Sequence, residues 1–156
     1  MRLTDLLSAE RVCVRRGHET ITTKREALAL LADRLAEGSH VPRDSVENVL
    51  AEREKLQSTG IGDGVAIPHG AIADLDAQCA ALLIAPDGID FDAIDGEKVN
   101  LLFSVITPKR ATGEHLKTLA RISRLLRNRS FREQLLAAED GRAAYDLIAQ
   151  EEGGSP

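Results

Sequence analysis

The stretch Ser58-Thr59-Gly60-Ile61-Gly62-Asp63-Gly64-Val65-Ala66-Ile67-Pro68-His69-Gly70 decides the reading of this chain. Glycines at alternate positions let a backbone turn sharply and show its N–H groups to an anion. The candidate anion-holding positions are Ser58, Thr59, Gly60, Gly62, Gly64 and Gly70. Val65-Ala66-Ile67 reads as a short buried strand. Pro68 has no N–H to give a sheet ladder and predicts the end of that strand. His69 is then held just past a strand end, and Gly70 leaves room for another molecule to approach. An imidazole fixed between Pro and Gly in this way is presented for chemistry rather than packed as a core side chain.

Working outward, Arg11 to Val14 reads as a first strand after a short N-terminal turn over residues 3–7. Thr23-Lys24-Arg25-Glu26 is a capping box. It opens a helix whose apolar positions are Ala27, Leu28, Leu31, Ala32 and Leu35, with Gly38 expected as its stop. Pro42 and Asp44 open a second helix over 45–54, with Val46, Val49 and Leu50 on its apolar face. Arg53 continues that face. Two readings stay open for it: a guanidinium reaching to the rim of the core, or one aimed at whatever the glycine stretch binds.

Beyond His69 a connector runs through Asp74-Leu75-Asp76. Residues 79–85 and 99–107 read as strands buried on both faces, with turns at Pro86-Asp87-Gly88 and Ile94-Asp95-Gly96 between them. A helix over 114–127 carries Leu116, Leu119, Ile122 and Leu126 as its apolar stripe, with Thr112 as candidate cap. Ser130 caps a further helix to 138, and a last helix starts at Asp140 or Gly141 and runs to about 150. Residues 1–150 form one domain, and 151–156 read as a frayed tail. Helices alternating with short strands predict an α/β fold around a central, mostly buried sheet.

The 156 residues, 43% of them apolar, suit one domain with one core. Aromatics are only 3%, so that core is built from Leu, Val, Ile and Ala. A net charge of −5 argues against a general nucleic-acid binder. The first ten residues lack an apolar signal-peptide run, and the longest apolar run, 79–85, is far too short to span a membrane. Cys13 and Cys79 lie in strand-like surroundings with no metal spacing, and read as buried thiols of a cytoplasmic protein.

Four histidines bear on the chemistry. His18 and His40 sit in polar, loop-like surroundings and read as solvated bystanders. His115 lies in the first turn of a helix, where unpaired N–H groups and the dipole favour an anion. If it reaches His69, the two imidazoles flank a site suited to a phosphoryl group; otherwise it only caps its helix. The glycines read GxGxG rather than GxGxxG, and no Walker Lys follows, which disfavours nucleotide binding. No GxSxG elbow supports a hydrolase built from Ser58 or Thr59 with His69. Two histidines are too few for a zinc site, and no metal or cofactor is expected. Nucleophilic catalysis by histidine needs only a neutral, fixed ring and donors for the phosphoryl oxygens. Lys117, Arg121, Arg124 and Arg127 form a basic stripe, read as a solvated face or as help in docking an acidic partner.

Arg53-Glu54-Lys55-Leu56, then STGIGDGVAIPHG, then Glu114-His115-Leu116 closely resemble the EIIA proteins of the bacterial phosphotransferase system, mannitol/fructose class. Within that class the wording is most like the nitrogen-related regulatory branch, EIIA-Ntr, and the resemblance covers nearly the whole chain. It implies a sandwich with a mixed sheet flanked by helices. It implies that His69 accepts a phosphoryl group on Nε2 from an HPr-type phosphocarrier, that His115 assists, and that Arg53 lies beside the site. It implies target proteins, such as transport or sensor-kinase systems, that are controlled by phosphorylation state. A sugar-specific EIIA passing its phosphoryl group to a IIB component is the alternative, and a constitutive binding module with structural histidines a remoter one.

Overall fold

The computed structural model describes residues 2–153. Among them run strands β1 (Val12–Val14), β2 (Gly60–Gly62), β3 (Val65–Ala66), β4 (His69–Ile72), β5 (Cys79–Ile89) and β6 (Val99–Pro108). The helices are α1 (Lys24–Ser39), α2 (Arg43–Leu56), α3 (Thr112–Leu126), α4 (Arg129–Leu136) and α5 (Gly141–Gly153). The strands form one mixed sheet in the order β1-β5-β6-β3-β2, with β4 also paired to β6. β5 and β6 are antiparallel, while β1 joins β5 and both β3 and β4 join β6 in parallel. This is the expected α/β sandwich. Among the described residues no helix is long and apolar enough to cross a membrane.

The near-continuous apolar runs of β5 and β6 make sense because helices cover both faces of the sheet. Side chains alternate between the two faces. Cys79, Ala81, Leu83, Leu102 and Ile106 join the layer under α1 and α2. Ala80, Leu82, Ile84, Leu101, Phe103 and Val105 join the layer under α3, α4 and α5. Each such fully buried Leu, Ile, Val or Phe contributes roughly 1.5–3 kcal/mol. Cys13 and Cys79 are buried free thiols.

β3 and β4 behave as one strand with a break. Val65 pairs with Leu101 and His69 with Val105, the same offset along β6. Pro68 interrupts the ladder, yet its carbonyl accepts from Val105 N (3.1 Å) and Ser104 Oγ (2.7 Å). The expected strand end at Pro68 is therefore a gap, and His69 opens a second strand where a plain connector was expected. The alternation carries across the gap. Gly70 faces α2 and His69 faces the α3 side. The space beside Gly70 is not left for a visitor: a Cβ there would collide with Val49 Cγ1 of α2.

Several boundaries move for local reasons. Thr23 caps α1 as expected, its Oγ1 accepting from Glu26 N at 3.1 Å. Gly38 does not stop that helix, which runs one residue further, and His40 takes the left-handed conformation (φ 63°) in its place. Pro86-Asp87-Gly88 is not a turn, because β5 continues through it with a shift of register against β6, as a bulge allows. Asn128, not Ser130, caps α4. The expected tail is overturned at its start: α5 reaches Gly153, and Glu152 accepts from Leu3 N at 2.8 Å and Thr4 N at 3.1 Å. Residues 154–156 of that tail lie outside the described residues.

The contact of β4 with α2 gives a direct test. Gly70→Ala is expected to lower the midpoint of chemical denaturation, and Val49→Ala/Gly70→Ala to recover much of the loss. Non-additivity of the two substitutions is the readout, since both act on one shared space.

Candidate functional site

β4 brings His69 to the face of the sheet on which α3 begins. Its ring and that of His115 stand 5.3 Å apart between centroids, tilted by 50°. The two imidazoles that the sequence could only suggest as partners therefore form one half-buried pair. Their orientations are fixed by different means. His69 Nδ1 lies 2.6 Å from the carbonyl oxygen of Ile67. A carbonyl only accepts, so Nδ1 carries the proton and Nε2 keeps its lone pair. His115 Nδ1 lies 2.7 Å from Thr107 Oγ1, on β6.

Burial holds both rings below the ordinary histidine range. For His69 desolvation is the largest cause, opposed by the Ile67 carbonyl, with the Arg53 charge lowering and the Glu54 charge raising the value. For His115 desolvation leads and the neighbouring His69 adds to it. The pair is thus neutral at pH 7, and His69 is a ring with one free nucleophilic nitrogen.

Arg53 occupies the last turn of α2, where its Nη1 donates to Gln57 O at 2.9 Å. A cation suits that end of a helix. Arg53 is half-exposed, with its charge felt at His69, so the face it was expected to continue belongs to its neighbour. Val46, Leu50 and Glu54 repeat every four residues, and all three are buried. Glu54 leaves no signal in the apolar periodicity of the sequence, because a carboxylate breaks the pattern that marks a buried face. It accepts from Thr59 N (3.1 Å), Thr59 Oγ1 (2.6 Å) and Lys24 Nζ (2.9 Å).

These bonds change the reading of the glycine stretch. It is a β-hairpin, β2 against β3, turning through Asp63 and Gly64 at positive φ (58° and 77°). Gly62 also has positive φ (100°), the conformation glycine tolerates best. Thr59 N and Oγ1 are held by Glu54, Gly60 N donates to Ser58 Oγ, and Ser58 Oγ donates to Phe91 O. Gly60 is packed against Ala93 and Gly70 against Val49. The N–H groups of Thr59 and Gly60 are therefore spent inside the protein, so these positions do not form the expected open cradle. The same bonds leave neither Ser58 nor Thr59 placed as a hydrolase nucleophile.

α3 also departs from expectation. It starts at Thr112, with Ala111 in the cap position and no side chain capping its first N–H groups. Leu116 is 62% exposed and does not line the core, whereas Thr118 is fully buried in its stead. Lys117, Arg121, Arg124 and Arg127 are all exposed. His18 and His40 are exposed too, as their polar neighbours implied.

A mixed sheet between two helical layers, with a neutral histidine pair at one strand and one helix start, defines the class. The chain belongs to the family described as phosphoenolpyruvate-dependent sugar phosphotransferase system, EIIA 2, which matches residues 7–151. Among its relatives, a nitrogen regulatory protein of Bradyrhizobium diazoefficiens is 38% identical over 149 residues, covering 96% of this chain and 95% of the relative. A fructose-specific EIIA component of Haloferax volcanii is 35% identical over 133 residues, 85% of this chain and 86% of the relative. The crystal structure of nitrogen regulatory protein IIA-Ntr from Neisseria meningitidis superposes with a TM-score of 0.85 at 30% identity, covering 94% and 98% of the two chains.

Two measurements follow from the site. Glu54→Ala strips a buried three-donor hub and is expected to cost about 3 kcal/mol of stability, read by chemical denaturation. Both histidines have folded pKa values below the ordinary 6.5. The unfolded chain therefore binds these protons at higher pH than the folded one. The stability concerned is whole above about pH 6.5 and is lost as pH falls through the folded values. Denaturation midpoints should drop on acidification below that point, and less steeply in His69→Gln.

Proposed function

We propose that this protein accepts a phosphoryl group on Nε2 of His69 from an HPr-type phosphocarrier and acts as a phosphorylation-dependent regulator. The observation that carries this reading is the fixed tautomer of His69, a neutral ring whose only available nitrogen is its Nε2, set beside a second neutral imidazole. In the transfer a P–N bond forms at His69 Nε2 while the P–N bond of the donor breaks, and the donor keeps the electron pair. Nδ1–H stays on Ile67 O throughout and helps disperse the positive charge that develops on the ring. His115 stands where it can donate to a phosphoryl oxygen, and Arg53 supplies charge nearby. The uncapped start of α3 adds a favourable dipole.

The regulatory role is supported by relatives named nitrogen regulatory proteins that match over nearly their whole length. The fructose-specific relative supports a second reading, in which the phosphoryl group passes on to a IIB component. Under the first reading, phosphorylation adds negative charge and acceptor oxygens at a surface. A target with an acidic or apolar patch is then expelled and one with a basic patch recruited, transport and sensor-kinase systems being the expected kinds.

Incubation with phosphoenolpyruvate, enzyme I and an HPr-type carrier should add a single acid-labile, alkali-stable phosphate, absent in His69→Ala. Labelling that survives this substitution would refute the assignment. His115→Ala should slow transfer without removing the acceptor. Arg53→Ala should cost roughly 1.5–3 kcal/mol in transfer, the worth of a hydrogen bond to a charged group. Adding a purified IIB component separates the two roles: rapid loss of label to it favours sugar transport, while partner capture that differs between the two phosphorylation states favours regulation.

A further inference from the structure

A polar chain runs behind His115, on the α3 face of the sheet. Thr118 Oγ1, fully buried, donates to Gln78 Oε1 at 2.8 Å. Gln78 Nε2 donates to Thr107 Oγ1 at 3.0 Å. Thr107, 1% exposed, meets His115 Nδ1 at 2.7 Å. A buried hydroxyl needs a use for its proton. Thr107 already accepts from Gln78, which leaves His115 Nδ1 as the acceptor for the Thr107 proton. His115 then keeps its own proton on Nε2.

Two further features of the site favour that direction. His69 Nε2 bears a lone pair, fixed by the Ile67 carbonyl, and the rings are 5.3 Å apart. A second unprotonated Nε2 beside it would repel the first. A phosphoryl group, moreover, offers only acceptor oxygens, so the neighbouring nitrogen is useful only as a donor.

We propose that Thr118, Gln78 and Thr107 act as a positioning chain that sets the tautomer of His115, holding its proton on Nε2 for donation to a phosphoryl group on His69. The tautomer follows from the hydrogen bonds alone; its use in transfer rests on the function proposed above. The chain joins α3 to the residue before β5 and to the end of β6. One side-chain relay thus links α3, β6 and the residue before β5 to orient one proton.

The test is nitrogen-15 NMR of the histidine rings at pH 8, where both are neutral. The wild type should show His69 with its proton on Nδ1 and His115 with its proton on Nε2. Thr107→Val keeps shape but removes the hydroxyl, and should leave His115 in a mixture of tautomers; Thr107→Ser should restore the single form. Gln78→Glu leaves only acceptors at that position, so Thr107 must turn its proton toward it and His115 must move its own to Nδ1. An unchanged His69 pattern in each variant reports an intact fold. Transfer from the HPr-type carrier should fall at least about tenfold in Thr107→Val and Gln78→Glu, and recover in Thr107→Ser. A wild-type His115 protonated on Nδ1, or a tautomer indifferent to Thr107→Val and Gln78→Glu, would overturn the proposal. A wild type that takes no phosphate but shows the expected tautomers would instead overturn the function and leave the positioning chain standing.

Discussion

The parallel pairing of residues 65–72 along β6, broken at Pro68, is the constraint on which the rest depends. A proline in a sheet removes a donor. Here the loss is confined to one position, because the proline carbonyl is held twice, by Val105 N and Ser104 Oγ. The register survives the break, so His69 leaves the sheet on a determined face. The carbonyl of Ile67, on the residue before the break, holds the ring of His69 by Nδ1. The register along β6 thus fixes the direction of the imidazole, and the Ile67 carbonyl fixes its tautomer.

Around this point the molecule balances burial against charge. Desolvation keeps His69 and His115 neutral, and Arg53 reinforces that at His69, while Glu54 opposes it. Glu54 is tolerated in the interior because Lys24 and two donors of Thr59 satisfy it. In doing so it ties α1, α2 and the start of the β2–β3 hairpin together. The glycines of this stretch serve this architecture: some turn the hairpin at positive φ, and Gly60 and Gly70 admit Ala93 and Val49 where a side chain would not fit. A glycine-rich stretch beside a reactive histidine is here mostly a packing device.

Much of this was legible in the sequence. The apolar runs of 79–85 and 99–107 required cover on both faces, and they have it. Thr23 caps α1 as expected, although the Glu26 carboxylate accepts from the Thr23 hydroxyl rather than from its N–H. His69 stood out by its neighbours, and the EIIA resemblance agreed with the family to which the chain belongs. What misled was local chemistry with two meanings. Pro86-Asp87-Gly88 is turn-like in composition, but β6 offers a partner and the strand continues through a bulge. Gly38 permits a helix end without compelling one. Leu116 has the period of a buried position, yet α3 buries the stripe Thr118, Ile122 and Leu126, which turns Leu116 outward, and Thr118 meets Gln78 from that stripe.

By itself the sequence determined the layers: periodicity in apolar residues states which segments need covering, and hydrophobic burial does not depend on who the neighbour is. It also singled out the histidine after Pro68, since a missing N–H and a missing side chain are properties of residues, not of folds. Only the tertiary structure decided that His115 meets it, that Glu54 rather than Arg53 enters the core, and which nitrogen of each ring carries the proton. Some of those bonds join groups far apart in the chain, as between Lys24 and Glu54 or Thr118 and Gln78; others, as from Ile67 to His69, are near in sequence but need the backbone geometry that the sheet imposes. Such bonds are directional and short-ranged, so they exist only once the sheet has set the distances.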